Sequence, residues 1–226
     1  MRIGVLGTGM VGQTIAAKLA ELGDEVMVGT RDPDGTLGRG EPDAMGNPPF
    51  RVWQERHPEV RLGSFAAAAA YGEALVNATA GGASIDALRQ AGAANLAGKL
   101  LLDVANALDF SHGMPPSLLV TNTDSLGEQI QRAFPDAKVV KALNTMTAAV
   151  MVNPDAVADG DHHVFVCGND PGAKAQATEL LSRFGWRNMI DLGDISAARA
   201  TEMVLPIWLR LMGTLRTPMF NLKVVT

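Results

Sequence analysis

The stretch Arg2-Ile3-Gly4-Val5-Leu6-Gly7-Thr8-Gly9-Met10-Val11-Gly12 decides how this chain is read. Arg2 to Leu6 has the composition of a strand, and three glycines follow at once. From Met10 to Leu22, apolar residues fall on one helical face at Val11, Ile15, Leu19 and Leu22. Gly23 is placed to stop that helix, and Glu25 to Val28 reads as a second strand. Two parallel strands need a crossover helix, so these residues predict a βαβ unit. A Gly-x-Gly-x-x-Gly pattern alone is weak, because glycine is common. Between a strand and a helix it has the context of a dinucleotide-binding turn. Gly7 permits the tight turn, Gly9 lets the backbone approach a pyrophosphate, and Gly12 lets helix and strand pack closely. Thr8, Met10 and Val11 complete the expected contacts, with backbone N–H groups at the helix start facing the phosphates. The alternative is a glycine turn with no ligand.

The end of the second strand discriminates between dinucleotides. An acidic residue there would bind the ribose 2′-hydroxyl of NAD. This chain has Gly29-Thr30-Arg31 instead. A hydroxyl beside a guanidinium suits a 2′-phosphate, which arginine can grip with two N–H groups, so NADP is the expected cofactor. Asp32 and Asp34 would oppose a phosphate if they turned inward, and an ordinary surface arginine is the other reading.

Outward from this unit, strands and helices alternate. Strands are predicted at 60–62, 74–78, 99–104, 138–142, 162–166 and 187–191, with helices at 50–56, 65–71, 85–91, 126–134 and 172–184. Residues 32–49 and 109–122 read as loops rich in turn formers. The alternation predicts an α/β fold with a doubly wound parallel sheet over residues 1–192. Ser196 to Met212 has helical periodicity through Ala200, Met203, Val204, Ile207 and Leu211. Residues 193–226 are therefore expected to form a short helical cap.

Of the 226 residues, 47% are apolar and 19% charged, with a formal net charge of -5 and no basic block. Nucleic acid is not an expected partner. The apolar run 203–215 is broken by Pro206 and Arg210 and is too short to span a membrane. Met1-Arg2 leads straight into the first strand, so no cleaved targeting segment is expected, and the expected compartment is the cytoplasm. Cys167 sits in an apolar run and reads as a small core side chain.

The chain resembles the deazaflavin-dependent NADP reductases, whose second coenzyme is F420. The likeness runs through the glycine turn, Gly29-Thr30-Arg31, Leu102-Asp103-Val104-Ala105-Asn106 and the Asp136 to Thr145 segment. It ends on Asp191-Leu192-Gly193-Asp194, Ala198-Arg199 and Glu202. The segment Val139-Val140-Lys141-Ala142-Leu143-Asn144-Thr145 is the most specific part. The cytosolic domains of six-transmembrane ferric reductases look similar too. The resemblance implies direct hydride transfer between NADPH and a flat tricyclic coenzyme. It implies that Thr30 and Arg31 hold the 2′-phosphate, and that Thr79, Ala80 and Gly81 border the cofactor. Ala105 and Asn106 would lie near the nicotinamide ribose, while Asn144 and Thr145 would orient the two rings. The family adds basic residues after its arginine, and here Arg39 is the one available.

Such chemistry needs no protein nucleophile, because positioning and the cofactor carry it. Two other functions fit the fold: a dehydrogenase or imine reductase of small substrates, and a non-catalytic NADP-binding sensor. The first usually adds a large helical domain. The second has no use for polar residues at Asn106, Asn144 and Thr145.

Other residues carry both a bland and a functional reading. His162-His163 would point to opposite sides of a strand, which argues against a metal and for a surface strand start. His112 is an exposed loop residue or a proton donor, and His57 a residue at a helix end. Lys141 follows a strand run and could act near the site, but lysine at such an edge is more often a solvated side chain or a salt-bridge partner. Arg199 and Glu202, three apart, suggest an intrahelical pair. Trp208, Met212, Met219 and Phe220 form core, a dimer contact, or a wall of the second pocket, with a homodimer expected.

Overall fold

A computed structural model describes residues 1–42 and 46–226. Its strands, in chain order, are β1 (Arg2–Leu6), β2 (Glu25–Thr30), β3 (Arg61–Ser64), β4 (Ala74–Asn77), β5 (Leu100–Asp103), β6 (Leu108–Asp109), β7 (Ser117–Leu118), β8 (Lys138–Ala142), β9 (Val164–Gly168) and β10 (Met189–Asp191). The helices are α1 (Met10–Glu21), α2 (Pro33–Gly38), α3 (Phe50–Gln54), α4 (Phe65–Tyr71), α5 (Ser84–Ala91), α6 (Ala93–Leu96), α7 (Leu126–Ala133), α8 (Ala148–Val152), α9 (Pro171–Arg183), α10 (Ala198–Met203) and α11 (Leu205–Leu215).

Several helices start where their sequence supplies a cap. Ser64 accepts from the Ala67 N–H at 3.1 Å, Ser125 from Glu128, and Asp170 from Ala173 just before Pro171. Central strands β1, β4 and β5 are buried on both faces and so read as near-continuous apolar runs. On one face Ile15, Leu19, Val150, Leu181 and Phe184 pack against the sheet. On the other, Phe65, Ala68, Leu88, Leu126 and Ile130 do so.

The main sheet has the order β10-β9-β8-β5-β4-β1-β2-β3. Neighbours are parallel from β8 through β3, as the predicted fold class requires. The β8–β9 pair is antiparallel, and β10 runs parallel to β9, so the last two strands are reversed. The order turns back between β1 and β4. In such sheets the crevice at that point, on the carboxyl edge, receives ligands.

Three expectations need correction. Residues 32–49 are not wholly loop: Asp32 caps α2 by accepting from the Gly35 N–H at 3.0 Å, and Pro33 opens the helix. The 109–122 loop contributes to a small β6–β7 hairpin. The C-terminal helix is two, α10 and α11, because Pro206 lacks the N–H that would continue the first one. Met203 and Ile207 of its expected apolar face are exposed. Other boundaries move by a few residues. The expected turn residues 43–45 lie outside the described residues.

Candidate dinucleotide site

Every site residue expected from sequence lies at or just beyond the carboxyl end of a parallel strand. Along the sheet the order is Thr30 and Arg31 (β2), the glycine turn (β1), Thr79 to Gly81 (β4), Ala105 and Asn106 (β5), then Asn144 and Thr145 (β8). Residues far apart in the chain thus form one row.

The three glycines differ in what their geometry demands. Gly7 has φ +122°, and a Cβ there would lie 2.5 Å from the Ala78 carbonyl oxygen. At Gly12 a Cβ would collide with the Gly7 carbonyl, which is the close helix–strand approach expected of it. Gly9 is different: its backbone is ordinary extended (φ -72°, ψ 176°), and a Cβ would meet nothing within 4 Å. The protein itself therefore does not require glycine there. Helix α1 starts at this point with no side-chain cap and no acidic residue in its first turn. Its leading N–H groups and positive dipole end are available to an anion. Gln13 donates to the Thr8 carbonyl at 2.8 Å and steadies the turn.

Beside the turn lies a cleft of about 470 Å³ lined by Thr8, Gly9, Gln13, Thr36 and Arg39, with Pro42, Pro48, Pro49 and Phe50 among its walls. Thr30 is buried, and its hydroxyl hydrogen-bonds that of Thr36 at 2.9 Å. Arg31 is exposed and has no hydrogen-bond or ion-pair partner among the described residues. The Asp32 carboxylate is engaged in capping α2.

The other end of the row is closed and internally bonded. Thr79 donates to Asn77 Oδ1 at 2.7 Å, and Asn77 Nδ2 donates to Asp103 Oδ1 at 2.8 Å. Ala80 is exposed, while Gly81 is buried, where a Cβ would strike the Asn106 carbonyl. Asn106 Nδ2 donates to the Asn144 carbonyl at 2.7 Å, and Asn144 Nδ2 donates back to Asn106 Oδ1 at 3.0 Å. Asn144 and Thr145 are only 1% and 2% exposed. Leu143, just before them, has φ +64°, a left-handed conformation rare for a bulky residue and concentrated at functional sites.

Beneath this row lies a group that sequence reasoning missed. The Lys141 ammonium, 0% exposed, sits 2.8 Å from Asp103 and 2.9 Å from Glu202. Burial works against its charge, but the two carboxylates prevail and hold its pKa above the ordinary lysine value. The Glu202 carboxylate also accepts the Leu126 and Gly127 N–H groups at the start of α7. Of the two bland readings of Lys141, the solvated one is wrong and the salt bridge is right. The expected Arg199–Glu202 pair does not form, since Arg199 bonds Glu128 instead. A lysine inside Val-Val-Lys-Ala was the available signal, because lysine is almost never fully buried unpaired.

Other candidates fall into place. His162 is 2% exposed, not a surface residue: Nε2 faces the Pro154 carbonyl at 2.9 Å, and the Asn221 amide meets Nδ1. Neither His162 nor His163 belongs to β9, which begins at Val164. His112 is exposed beyond β6. His57 follows α3 and stacks on Trp53. Cys167 is in the core, where burial pushes its thiol to about 12. Trp208 stacks on Phe220, while Met219 is exposed.

This fold, with a glycine turn at its switch point, defines a Rossmann-type dinucleotide-binding protein. Residues 2–107 match the family described as NADP oxidoreductase, coenzyme F420-dependent. A solved structure from Arthrobacter sp. FB24, provisionally described as an F420-dependent NADP reductase, is 59% identical. Its TM-score is 0.95, over 99% of each chain. The F420-dependent NADP reductase of Methanocaldococcus jannaschii is 30% identical over 113 residues, half of each protein. The metalloreductase STEAP3 of Rattus norvegicus is 28% identical over 212 residues, 92% of this chain and 38% of the rat protein. The chain thus spans half or less of the length of these two curated relatives. It belongs to the coenzyme-F420-dependent NADP oxidoreductases, a family of NADP-dependent oxidoreductases.

Proposed function

We propose that this protein binds NADPH along the carboxyl edge of its sheet and catalyses hydride exchange between that cofactor and coenzyme F420, a deazaflavin. The observation that carries the reading is the row itself, with an arginine unpartnered among the described residues at one end and a locked pair of asparagines at the other. The residues fit the dinucleotide: open space over Gly9, uncapped N–H groups at α1, and a guanidinium one strand away. Gly7, Thr8, Gly9, Met10, Val11 and Gly12 would cradle the pyrophosphate. Thr30 and Arg31 would take the 2′-phosphate, Arg31 directly and Thr30 by shaping the strand end. Thr79, Ala80, Gly81, Ala105 and Asn106 would flank the ribose and nicotinamide, with Asn144 and Thr145 orienting the reacting rings.

NADPH supplies the hydride when bound. The chain's own part is to hold two flat rings at contact distance, which can remove a large share of the barrier. Residues 193–226 act as a cap, and α11 supports a homodimer. Among its residues Leu205 alone is buried, whereas Ile207 and Leu215 are more than half exposed. Large apolar surfaces of this kind mark contact sites. No helix among the described residues is long and apolar enough to cross a membrane, and we place the protein in the cytoplasm.

The test is to follow NADPH absorbance with deazaflavin, flavin and ferric acceptors in parallel. Rapid oxidation by the deazaflavin alone supports the reading. Preference for another acceptor replaces F420 with that acceptor. NADPH binding without oxidation by any of them makes the protein a sensor.

A further inference from the structure

The Lys141–Asp103–Glu202 group has no direct part in hydride transfer. Stability is a poor reason for it. Burying charges is expensive, and well-packed apolar residues in place of a buried ion pair are often neutral or stabilising. Its geometry suggests another role. Asp103 Oδ1 accepts the Ala105 N–H at 3.2 Å, and Lys141 Nζ donates to the Ala105 carbonyl at 2.5 Å. One ion pair therefore holds both backbone polar groups of the residue before Asn106. Asn106 in turn is bonded twice to Asn144, which lies three residues beyond Lys141. The same Asp103 reaches Thr79 through Asn77. Glu202 anchors the ammonium from α10 and is itself fixed by the start of α7. Three segments that border the expected nicotinamide position, after β4, β5 and β8, thus converge on one buried cation.

We propose that Lys141, held by Asp103 and Glu202, is a positioning residue that clamps Ala105 and so sets Asn106 and Asn144 at the nicotinamide end of the site. The inference rests on the NADPH reading above. It also explains why the C-terminal segment packs where it does, since Glu202 couples α10 to the site without touching the cofactor.

The experiment compares two ligands by calorimetry, NADPH and adenosine 2′,5′-bisphosphate, which lacks the nicotinamide half. Wild type, Lys141→Met, Asn106→Ala and the double variant are measured, with melting temperatures. We expect Lys141→Met to weaken NADPH at least fivefold and the bisphosphate less than twofold. We expect the double variant to bind NADPH no worse than the weaker single variant, because both act through one turn. Should Lys141→Met fail to fold, Glu202→Gln serves, with at least a twofold loss confined to NADPH. A merely structural lysine would lower the melting temperature and weaken both ligands alike, or neither. Either pattern overturns the proposal, as does additivity in the double variant. If wild-type protein binds the bisphosphate and NADPH but Lys141→Met matches it, the positioning role alone fails. If wild type binds neither, the NADPH reading falls and takes this one with it.

Discussion

The two ends of the sheet edge use their polar groups in opposite ways. At the β1–β2 end, Arg31 has no partner among the described residues, α1 begins uncapped, and a cleft of about 470 Å³ lies alongside. At the β5–β8 end, Asn106 bonds Asn144, Thr79 bonds Asn77, and Lys141 is enclosed by two carboxylates and a carbonyl. On the proposed reading, the open end with its unmatched positive groups recognises charge and determines which ligand binds. On the same reading, the closed end with its matched groups fixes geometry and determines what happens to the ligand once bound. Substitutions at the first end should therefore act on affinity; at the second, the ring-orienting Asn144 should act on turnover, and the Lys141 clamp beneath it on the binding of the nicotinamide half as well.

The sharpest way to break the contrast is Gly9→Val. Its Cβ meets no protein atom within 4 Å, so the fold should tolerate it, at the modest cost of a poorer N-cap, while the phosphate approach is blocked. We expect NADPH affinity to drop at least a hundredfold, about 2.7 kcal/mol, with the protein still folded and its melting temperature only slightly lowered. A folded variant that binds normally refutes the cradle. Next is Arg31→Ala, expected to weaken NADPH by about 2 kcal/mol, the loss of a charged hydrogen bond, with NADH barely affected. Equal losses would show that Arg31 does not read the 2′-phosphate.

At the closed end, Asn144→Leu should lower kcat about tenfold, or about 1.4 kcal/mol of barrier. NADPH dissociation should stay within about twofold. A lower melting temperature with intact turnover would reduce Asn144 to a brace for Asn106. The smallest effect lies away from both ends. Arg132 beside Asp124 holds its carboxyl at about 2, below the ordinary 3.8. Folding favours the ionised form, so this stability is full above the unfolded value and fades as pH falls toward 2. Asp124→Asn should flatten acid unfolding slightly, since the pair is partly exposed. An unchanged acid limb would show that the pair contributes nothing.

What sequence disclosed follows the same divide. The βαβ unit and its glycines are local, and spacing alone reveals them. Helix α4 was legible residue for residue, since Ser64 caps an alanine run of high helix propensity. The reversal of β9 was hidden, because a buried apolar strand has the same composition in either direction. Lys141 and Glu202 are far apart in the chain, and three-residue spacing pointed Glu202 to Arg199 instead. His162 was misjudged because its partners Pro154 and Asn221 come from outside its own segment.

The proline wall of the cleft carries one more consequence. Pro42, Pro48 and Pro49 have their φ angles fixed by their own rings before the chain folds. If the proposed dinucleotide enters there, it meets three residues whose φ has little freedom left to surrender, which lowers part of the usual entropy loss of binding. On the proposed reading, replacing these prolines with alanine would leave the glycine turn and Arg31 untouched and still slacken the grip.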